Sequence, residues 1–244
     1  MSSQEFLIEN EKDGTLMVLI PAGKFLAGDD KFTIELPAYY MAIHPVTNAQ
    51  YARFLNAEKP NKEDLELWIK LDSDCFVKRS FFGYTAYGGK ESHPVNQISW
   101  YGAKAYCEWA GLRLPTELEW EKGSRGIDGM EYPWGNEWNE AKCRNKNNKG
   151  NETTAEIYSY PEGVSPYGLY QMSGNVTEWC EDRYDGDAYK RYKTGNLTLP
   201  DSGTERCLRG GSWHYNNTGF FRCAFRDNTV PGVPLYGFRC VRTG

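Results

Sequence analysis

The chain has 244 residues, 15% of them aromatic and 25% charged, with a mean hydropathy of −0.68. That length suits one large domain with a real hydrophobic core, and no run approaches the ~20 consecutive apolar residues that a membrane-spanning helix needs, which excludes membrane insertion and a disordered chain alike. A net charge of −5, from 28 Lys and Arg against 33 Asp and Glu, argues against a nucleic acid or an anionic membrane surface as partner.

The predicted elements begin after a polar, acidic extension over residues 1–14, which has no apolar stretch of the secretory-signal kind. Met17-Val18-Leu19-Ile20 is an apolar run stopped by Pro21-Ala22-Gly23. Phe32 to Met41, interrupted at Pro37, is another, and both read as strands. Thr47 to Gln50 is a capping box, a hydroxyl at the N-cap and an amide three residues on, opening a helix that carries Tyr51, Phe54 and Leu55. The charged, weakly patterned stretch 58–91 reads as an insertion over the surface. Ser99 starts a second helix in which Ala103, Tyr106, Cys107 and Ala110 share a face, and Gly111 ends it. Thr116 to Glu119 repeats the capping box at the head of a short helix reaching Lys122. Beyond Gly123, Gly, Asn, Pro and Trp alternate with short runs at Cys207 to Arg209, Phe221 to Phe225 and Phe238 to Val241, which predicts short strands within structured loop. Cys75, Cys107, Cys143, Cys180, Cys207, Cys223 and Cys240 show no C-x-x-C spacing. An odd count without a signal predicts buried, reduced thiols in a cytoplasmic protein.

Several strings, taken in order, are more specific than any one of them. They include Pro21-Ala22-Gly23, His44-Pro45-Val46-Thr47-Asn48, His93-Pro94-Val95, Arg113-Leu114-Pro115-Thr116-Glu117 and Tyr132-Pro133-Trp134-Gly135. Ser173-Gly174-Asn175-Val176, Glu178-Trp179, Arg209-Gly210-Gly211-Ser212-Trp213 and Gly237-Phe238-Arg239 complete the series. Together they resemble the formylglycine-generating-enzyme, or sulfatase-modifying-factor, family over residues 15–244. The resemblance implies an α+β fold: one C-type-lectin-like domain with two main helices, small antiparallel sheets and much irregular loop. The residues suit such a fold. Gly210-Gly211 allows a turn where a Cβ would clash. Trp100, Trp120, Trp134, Trp179 and Trp213 each bury a large area and can offer an indole N–H to loop carbonyls. From Arg206 to Gly244 there are six arginines, no lysine and one acid. Cross-linking of loop carbonyls, or pairing of Arg209, Arg226 and Arg239 with Glu117, Glu121 and Glu178, explains that charge better than an anion site does.

By the same resemblance, an oxidase of this family would act through two cysteines shortly after the Gly-Gly-Ser-aromatic motif, where a thiolate binds copper. His214 to Phe221 contains no cysteine, and Cys223 falls in a framework run. The family's iron-dependent sulfoxide synthases need three histidines on one metal. Here there are only His44, His93 and His214, the first two each preceding a proline at positions shared by the family. The expectation is therefore a protein with no catalytic residue and no catalytic cofactor, not an enzyme, that presents C-terminal loops to a ligand. A metal-dependent oxidase with displaced ligands is the rival. A scaffold subunit of a phage or surface assembly is a third reading, and would place the chain on a virion or a surface.

The resemblance puts the ligand face within residues 206–244. The candidate ligand-binding residues are His214, Tyr215, Asn216, Asn217, Thr218, Gly219 and Phe220 in one loop. Asp227, Asn228, Thr229, Val233, Leu235 and Tyr236 follow in the next. Tyr215, Phe220 and Tyr236 supply rigid contact area facing outward, while the asparagines and Thr218 supply adaptable hydrogen bonds; solvated connectors with inward aromatics are the alternative. Both loops use only residue types encoded by codons ending in a pyrimidine, which resembles the variable proteins of diversity-generating retroelements. A protein ligand is expected ahead of a carbohydrate. Finally, Gly168 to Trp179 resembles the family's structural calcium site, which implies the side chains of Gln171 and Glu178 and the carbonyls of Gly174 and Val176 as ligands. A hydrogen-bonded turn without an ion is the other reading.

Overall fold

Hydroxyl caps and short apolar runs generate the elements. In the structure, a computed structural model that describes residues 5–232 and 236–244, strands β1 (Leu7–Glu9), β2 (Leu16–Ile20), β3 (Gly23–Ala27), β4 (Phe32–Leu36) and β5 (Tyr39–Ala42) come first. Helices α1 (Asn48–Glu58) and α2 (Lys62–Trp68) follow, then a hairpin of β6 (Val77–Ser80) and β7 (Gly83–Ala86), then α3 (Trp100–Ala110) and α4 (Glu117–Arg125). The rest carries β8 (Glu178–Arg183), α5 (Ala188–Tyr192), β9 (Arg206–Arg209), β10 (Asp227–Thr229) and β11 (Val241–Thr243). One antiparallel sheet runs β1-β2-β5-β11, so the first and last strands share it, and a second runs β10-β9-β8. No helix among the described residues is long and apolar enough to cross a membrane.

The local signals form as their chemistry requires. Thr47 Oγ1 accepts from Gln50 N at 3.2 Å while Gln50 Oε1 accepts from Thr47 N at 2.9 Å, and Thr116 and Glu119 repeat the exchange at 3.2 and 2.9 Å. Ser99 caps α3, and Gly111 closes it at φ 71°, a left-handed conformation open to glycine at little cost. Three expectations change. The stretch 58–91 is not merely superficial: Trp68 of α2 stacks on Phe54 at 5.2 Å, and Cys75 and Val77 are fully buried. Its apolar residues are too thinly spread among charges to show a period. Phe221 to Phe225 is not a strand, because the chain there leaves a 3-10 turn over Thr218–Phe221. Asp227 to Thr229, read as loop, pairs with β9 despite having no apolar alternation.

Two cores result. One lies where Tyr51 and Phe54 of α1 meet Tyr106 of α3 and Phe238, with ring centroids 5.2 to 6.2 Å apart. The other surrounds α4, where Trp120 and Leu118 pack with Val18, Ile20, Met41 and Met172. All nine residues of α4 are buried, although six are polar. Each polar side chain finds a partner, Glu119 in nearby Arg113 and most of the others in distant segments. Glu117 is held by Arg226 at 2.7 and 2.8 Å. Glu121 is held by Arg125 at 2.6 Å, Arg209 at 2.7 Å, the Gly28 N–H at 2.7 Å and the Tyr189 hydroxyl. Lys122 donates to the Pro21 and Gly23 carbonyls, and Arg125 to those of Gly28, Gly129 and Met130. Four indoles act similarly: Trp100, Trp134 and Trp179 donate to the carbonyls of Cys180, Glu137 and Ile98, and Trp120 to the Glu178 carboxylate, all at 2.9 to 3.0 Å.

Glu121→Ala leaves two buried guanidiniums without their shared counter-charge, and should cost about 3–5 kcal/mol in urea unfolding. Neutralising the exposed Lys190–Asp187 pair should leave the midpoint unchanged. Asp182, on β8, is pushed up to about 8 by burial and then by the nearby Glu117 charge; one of its oxygens accepts from Glu117 N at 2.8 Å and the other has no partner. The folded state thus holds a proton there that the unfolded state releases at far lower pH, so this stabilisation is present at acidic pH and lost as pH rises through about 8. Melting temperatures should fall for the wild type as pH rises from about 4 to about 8 and level off above that, and the fall should be smaller in Asp182→Asn.

Candidate ligand-binding cavity

Beyond β9 the chain turns sharply at Gly210 and Gly211, with φ 92° and 67°; a Cβ on Gly211 would stand 2.8 Å from the Phe220 carbonyl oxygen. The turn delivers Ser212 to Tyr215 as one wall of a cavity of about 450 Å³. Main-chain bonds hold that wall: Trp213 N donates to Asn175 O at 3.0 Å, Tyr215 N to Ser212 O at 3.1 Å, and Lys146 N to Tyr215 O at 2.9 Å. The opposite wall comes from Asn96 and Gln97, just ahead of α3, and from Asp74 and Phe76, between α2 and β6. Val176 and Thr177, just ahead of β8, also line it. Tyr236 completes it, its ring edge-on to Trp179 at 5.1 Å and its carbonyl accepting from Ile98 N at 3.1 Å.

The polar groups on this wall are unusual. Asn96 donates through Nδ2 to the Asp74 carbonyl at 3.1 Å, which leaves Oδ1 facing no protein donor. Gln97 Oε1 and Thr177 Oγ1 likewise have no protein partner. Asn96 and Gln97 are each 6% exposed and Thr177 is 3% exposed. A buried polar group without a partner costs about 1–3 kcal/mol, so these three oxygens are a local cost in the packing behind the cavity wall. Gln97 also sits at φ 61°, a strained conformation for a residue with a Cβ. Burial, and then Asp227, push the Tyr215 hydroxyl up; burial, Tyr215 and Asp227 do the same to Tyr236. Both hydroxyls therefore stay protonated at neutral pH.

Of the residues singled out from sequence, His214, Tyr215 and Tyr236 line the cavity. Asn216, Asn217 and Thr218 are exposed, and Asn217 accepts from Gly219 N at 2.9 Å to cap the 3-10 turn. Phe220 does not face outward: it packs 4.5 Å from Tyr215 and 5.0 Å from Phe225, because its neighbours Tyr132 and Trp138 offer an apolar cluster there. Asp227, Asn228 and Thr229 form β10. Val233 and Leu235 lie outside the described residues. Asn96, Gln97 and Thr177 escaped the sequence reading; the one local signal was two amides placed directly after the apolar His93-Pro94-Val95 run.

The calcium ligands implied by resemblance do not form a cation cage. Both Glu178 oxygens are taken, by Arg239 at 2.7 and 2.8 Å and by the Trp120 indole at 2.9 Å. Gln171 Oε1 accepts from Asn175 and its Nε2 donates to the Glu156 carbonyl at 2.6 Å. A donor set already bonded to a guanidinium and an amide is not one that suits calcium. Elsewhere, His44 bonds the Pro45 carbonyl at 2.8 Å and His93 bonds Thr154 at 2.9 Å. All seven thiols are buried, with Cys143 and Cys223 pushed up to about 12 mainly by that burial. No group of three His, Cys, Asp or Glu side chains able to hold a metal ion occurs among the described residues.

Comparison with known proteins gives the context. The family model described as sulfatase-modifying factor enzyme 1-like domain matches residues 3–244. The chain is 36% identical over 241 residues to "Serine/threonine-protein kinase pkn1" of Chlamydia caviae, covering 93% of this chain and 38% of that one, so it spans about two fifths of that relative's length. It is 38% identical over 279 residues to formylglycine-generating enzyme of Streptomyces coelicolor, covering 91% and 88% of the two chains. Hercynine oxygenase of Mycolicibacterium smegmatis is 31% identical over 244 residues, covering 86% and 56%. Among solved structures, Treponema denticola variable protein 1 superposes with a TM-score of 0.73 at 22% identity, over 98% of both chains. The fold is thus the C-type-lectin-like one implied by the strings. The expectation that the chain is not an enzyme is overturned by the relatives named as enzymes. A missing cysteine pair and a missing histidine triad bear on those two ligand sets alone.

Because Glu178 and Gln171 are already engaged, melting curves recorded with a chelator and with added calcium should coincide. Arg239→Met, which strips Glu178 of its counter-charge, should lower the midpoint sharply under both conditions.

Proposed function

The chain belongs to the family of the sulfatase-modifying factor enzyme 1-like domain, and from that premise we propose that its cavity binds a segment of polypeptide, with the C-terminal loops as one wall. The observation that carries this reading is a cavity that brings the rings of Phe76, Trp213, Tyr215 and Tyr236 together with the polar residues Asp74, Asn96, Gln97, Thr177 and Ser212. A polypeptide supplies main-chain hydrogen-bonding groups to polar walls and a side chain to the rings. About 450 Å³ accommodates a few residues. A sugar would stack on the aromatics as well, but these walls carry no calcium donor set to chelate its hydroxyls.

The exposed Asn216, Asn217 and Thr218 flank this wall. Their residue types, all of which pyrimidine-ending codons can encode, support a display role in which this loop changes partners while the turn beneath it stays fixed. A near-identical template repeat beside the gene supports diversification, and its absence refutes it. The relatives named as enzymes favour a second reading, in which the bound polypeptide is also chemically modified. Incubation of a bound thiol peptide with the chain in air, followed by mass spectrometry, separates the two: a mass change supports modification, and an unaltered peptide supports recognition alone.

Panning a random peptide library on the immobilised chain should enrich binders whose calorimetric affinity falls by about tenfold or more in Asn96→Leu and in Tyr236→Ala, the size of one buried anchor contact. Binders indifferent to both variants, with unchanged circular dichroism, would locate the peptide elsewhere and refute the reading.

A further inference from the structure

We infer that the tip of the β6–β7 hairpin docks on an anionic lipid bilayer, with Phe81 and Phe82 entering the boundary between headgroups and acyl chains. This surface is separate from the cavity, and the inference stands whether or not the cavity takes a polypeptide. Its first support is that the tip breaks the rules of its own turn. Ser80 pairs with Gly83, so Phe81 and Phe82 form a two-residue hairpin loop, a place where Asn, Asp and Gly serve best. The left-handed backbone falls instead to Gly83, at φ 120°. The two rings are 97% and 95% exposed and stand edge-on with centroids 5.4 Å apart. Neither the turn nor the core gains from them, and such an unrewarded departure marks a surface kept for a partner.

The second support is that the tip is held out rigidly. Asn56 of α1 accepts from Tyr84 N at 2.8 Å and donates to Tyr84 O at 2.7 Å. Ser80 Oγ accepts from Phe82 N at 3.2 Å and donates to the Gly83 carbonyl at 3.1 Å. A Cβ on Gly83 would stand 2.3 Å from Asn56 Oδ1, so the clamp on α1 needs that glycine. A loop fastened in this way keeps its rings away from the body of the protein.

Charge selects the occupant. A cleft of about 440 Å³ runs between the tip and the end of α1, and Lys59 and Arg79 line it with no acid among the lining residues. Nearby Lys62 and Lys70 have Glu66 and Asp72 at 3.8 and 2.9 Å, whereas the exposed Lys59 and Arg79 form no ion pair among the described residues. Their complement is an anion beside an apolar layer, which is the outer stratum of an anionic bilayer. The depths agree as well. Phe81 lies two residues beyond Arg79, about 7 Å along an extended strand, and interfacial apolar groups sit about 5–10 Å into that boundary. The net charge of −5 opposes this contact only weakly, because charges more than about 8 Å away are largely screened at physiological salt. A socket in a protein must match two rings set at 88° to each other; a fluid bilayer needs no such fit.

The test mixes the intact chain with vesicles of phosphatidylcholine and phosphatidylglycerol in equal parts, or of phosphatidylcholine alone, and reads sedimentation. The chain should partition onto the mixed vesicles, and about tenfold more weakly onto the neutral ones. Phe81→Ser and Phe82→Ser should each lower the partition about tenfold. Arg79→Gln and Lys59→Gln should each lower it about fivefold, an effect that added salt erases. Melting curves of these variants should match the wild type, since all four side chains are exposed. A Phe82→Cys variant carrying a solvent-sensitive fluorophore should shift to the blue on mixed vesicles; the seven native thiols are buried and stay unlabelled. No partition of the intact chain, unshifted emission, or binding that survives both serine substitutions would overturn the bilayer and leave a protein socket as the occupant of the tip.

Discussion

A carboxylate taken out of water must be given a cation, and the architecture follows from meeting that demand at three glutamates. Glu117 takes Arg226, Glu121 takes Arg125 and Arg209, and Glu178 takes Arg239. None of these arginines stops at its partner. Arg209 goes on to the Phe225 carbonyl, Arg239 to those of Ala42 and Tyr170, and Arg226 to that of Asp185. A forked donor that binds an acid with one side and a remote carbonyl with the other ties together segments that share no sheet. The indoles repeat the device with a single N–H. Small sheets suffice because much of the irregular chain is held in this way.

The cavity begins where these anchors end. Thr177 precedes Glu178, and Ser212 follows Arg209 by three residues across the double-glycine turn. Thr177, Ser212 and Tyr236 thus lie one to three residues from groups that are wholly buried and charge-paired. Such proximity holds this side of the cavity in position, since moving it would disturb the buried pairs beneath.

What could be read from the amino acids alone divides by distance. The caps of α1, α3 and α4 are decisions made within four residues, and they were legible. So was the use of Arg209, Arg226 and Arg239, because a buried guanidinium has few other occupations. The 58–91 stretch was not, since Trp68, Cys75 and Val77 reveal themselves as core only once α1 and α3 supply the rings they touch. Glu178 shows the limit most clearly: its spacing within Gly168 to Trp179 suggests a cation ligand, and a residue 61 positions later decides otherwise. Asn96, Gln97 and Thr177 belong together only in space. An absent cysteine pair and an absent histidine triad bear on two chemistries and leave every other one open.

The Trp213-to-Tyr215 wall is fastened through amide and carbonyl groups, none of which depends on what the side chains are. Such a segment works as a blank line in an otherwise written page. A residue that keeps its N–H keeps these main-chain bonds, proline alone being barred where a donor is required. Substitution at His214, an exposed position, therefore leaves the bonds that hold the wall in place, while Tyr215 also answers to the ring of Phe220.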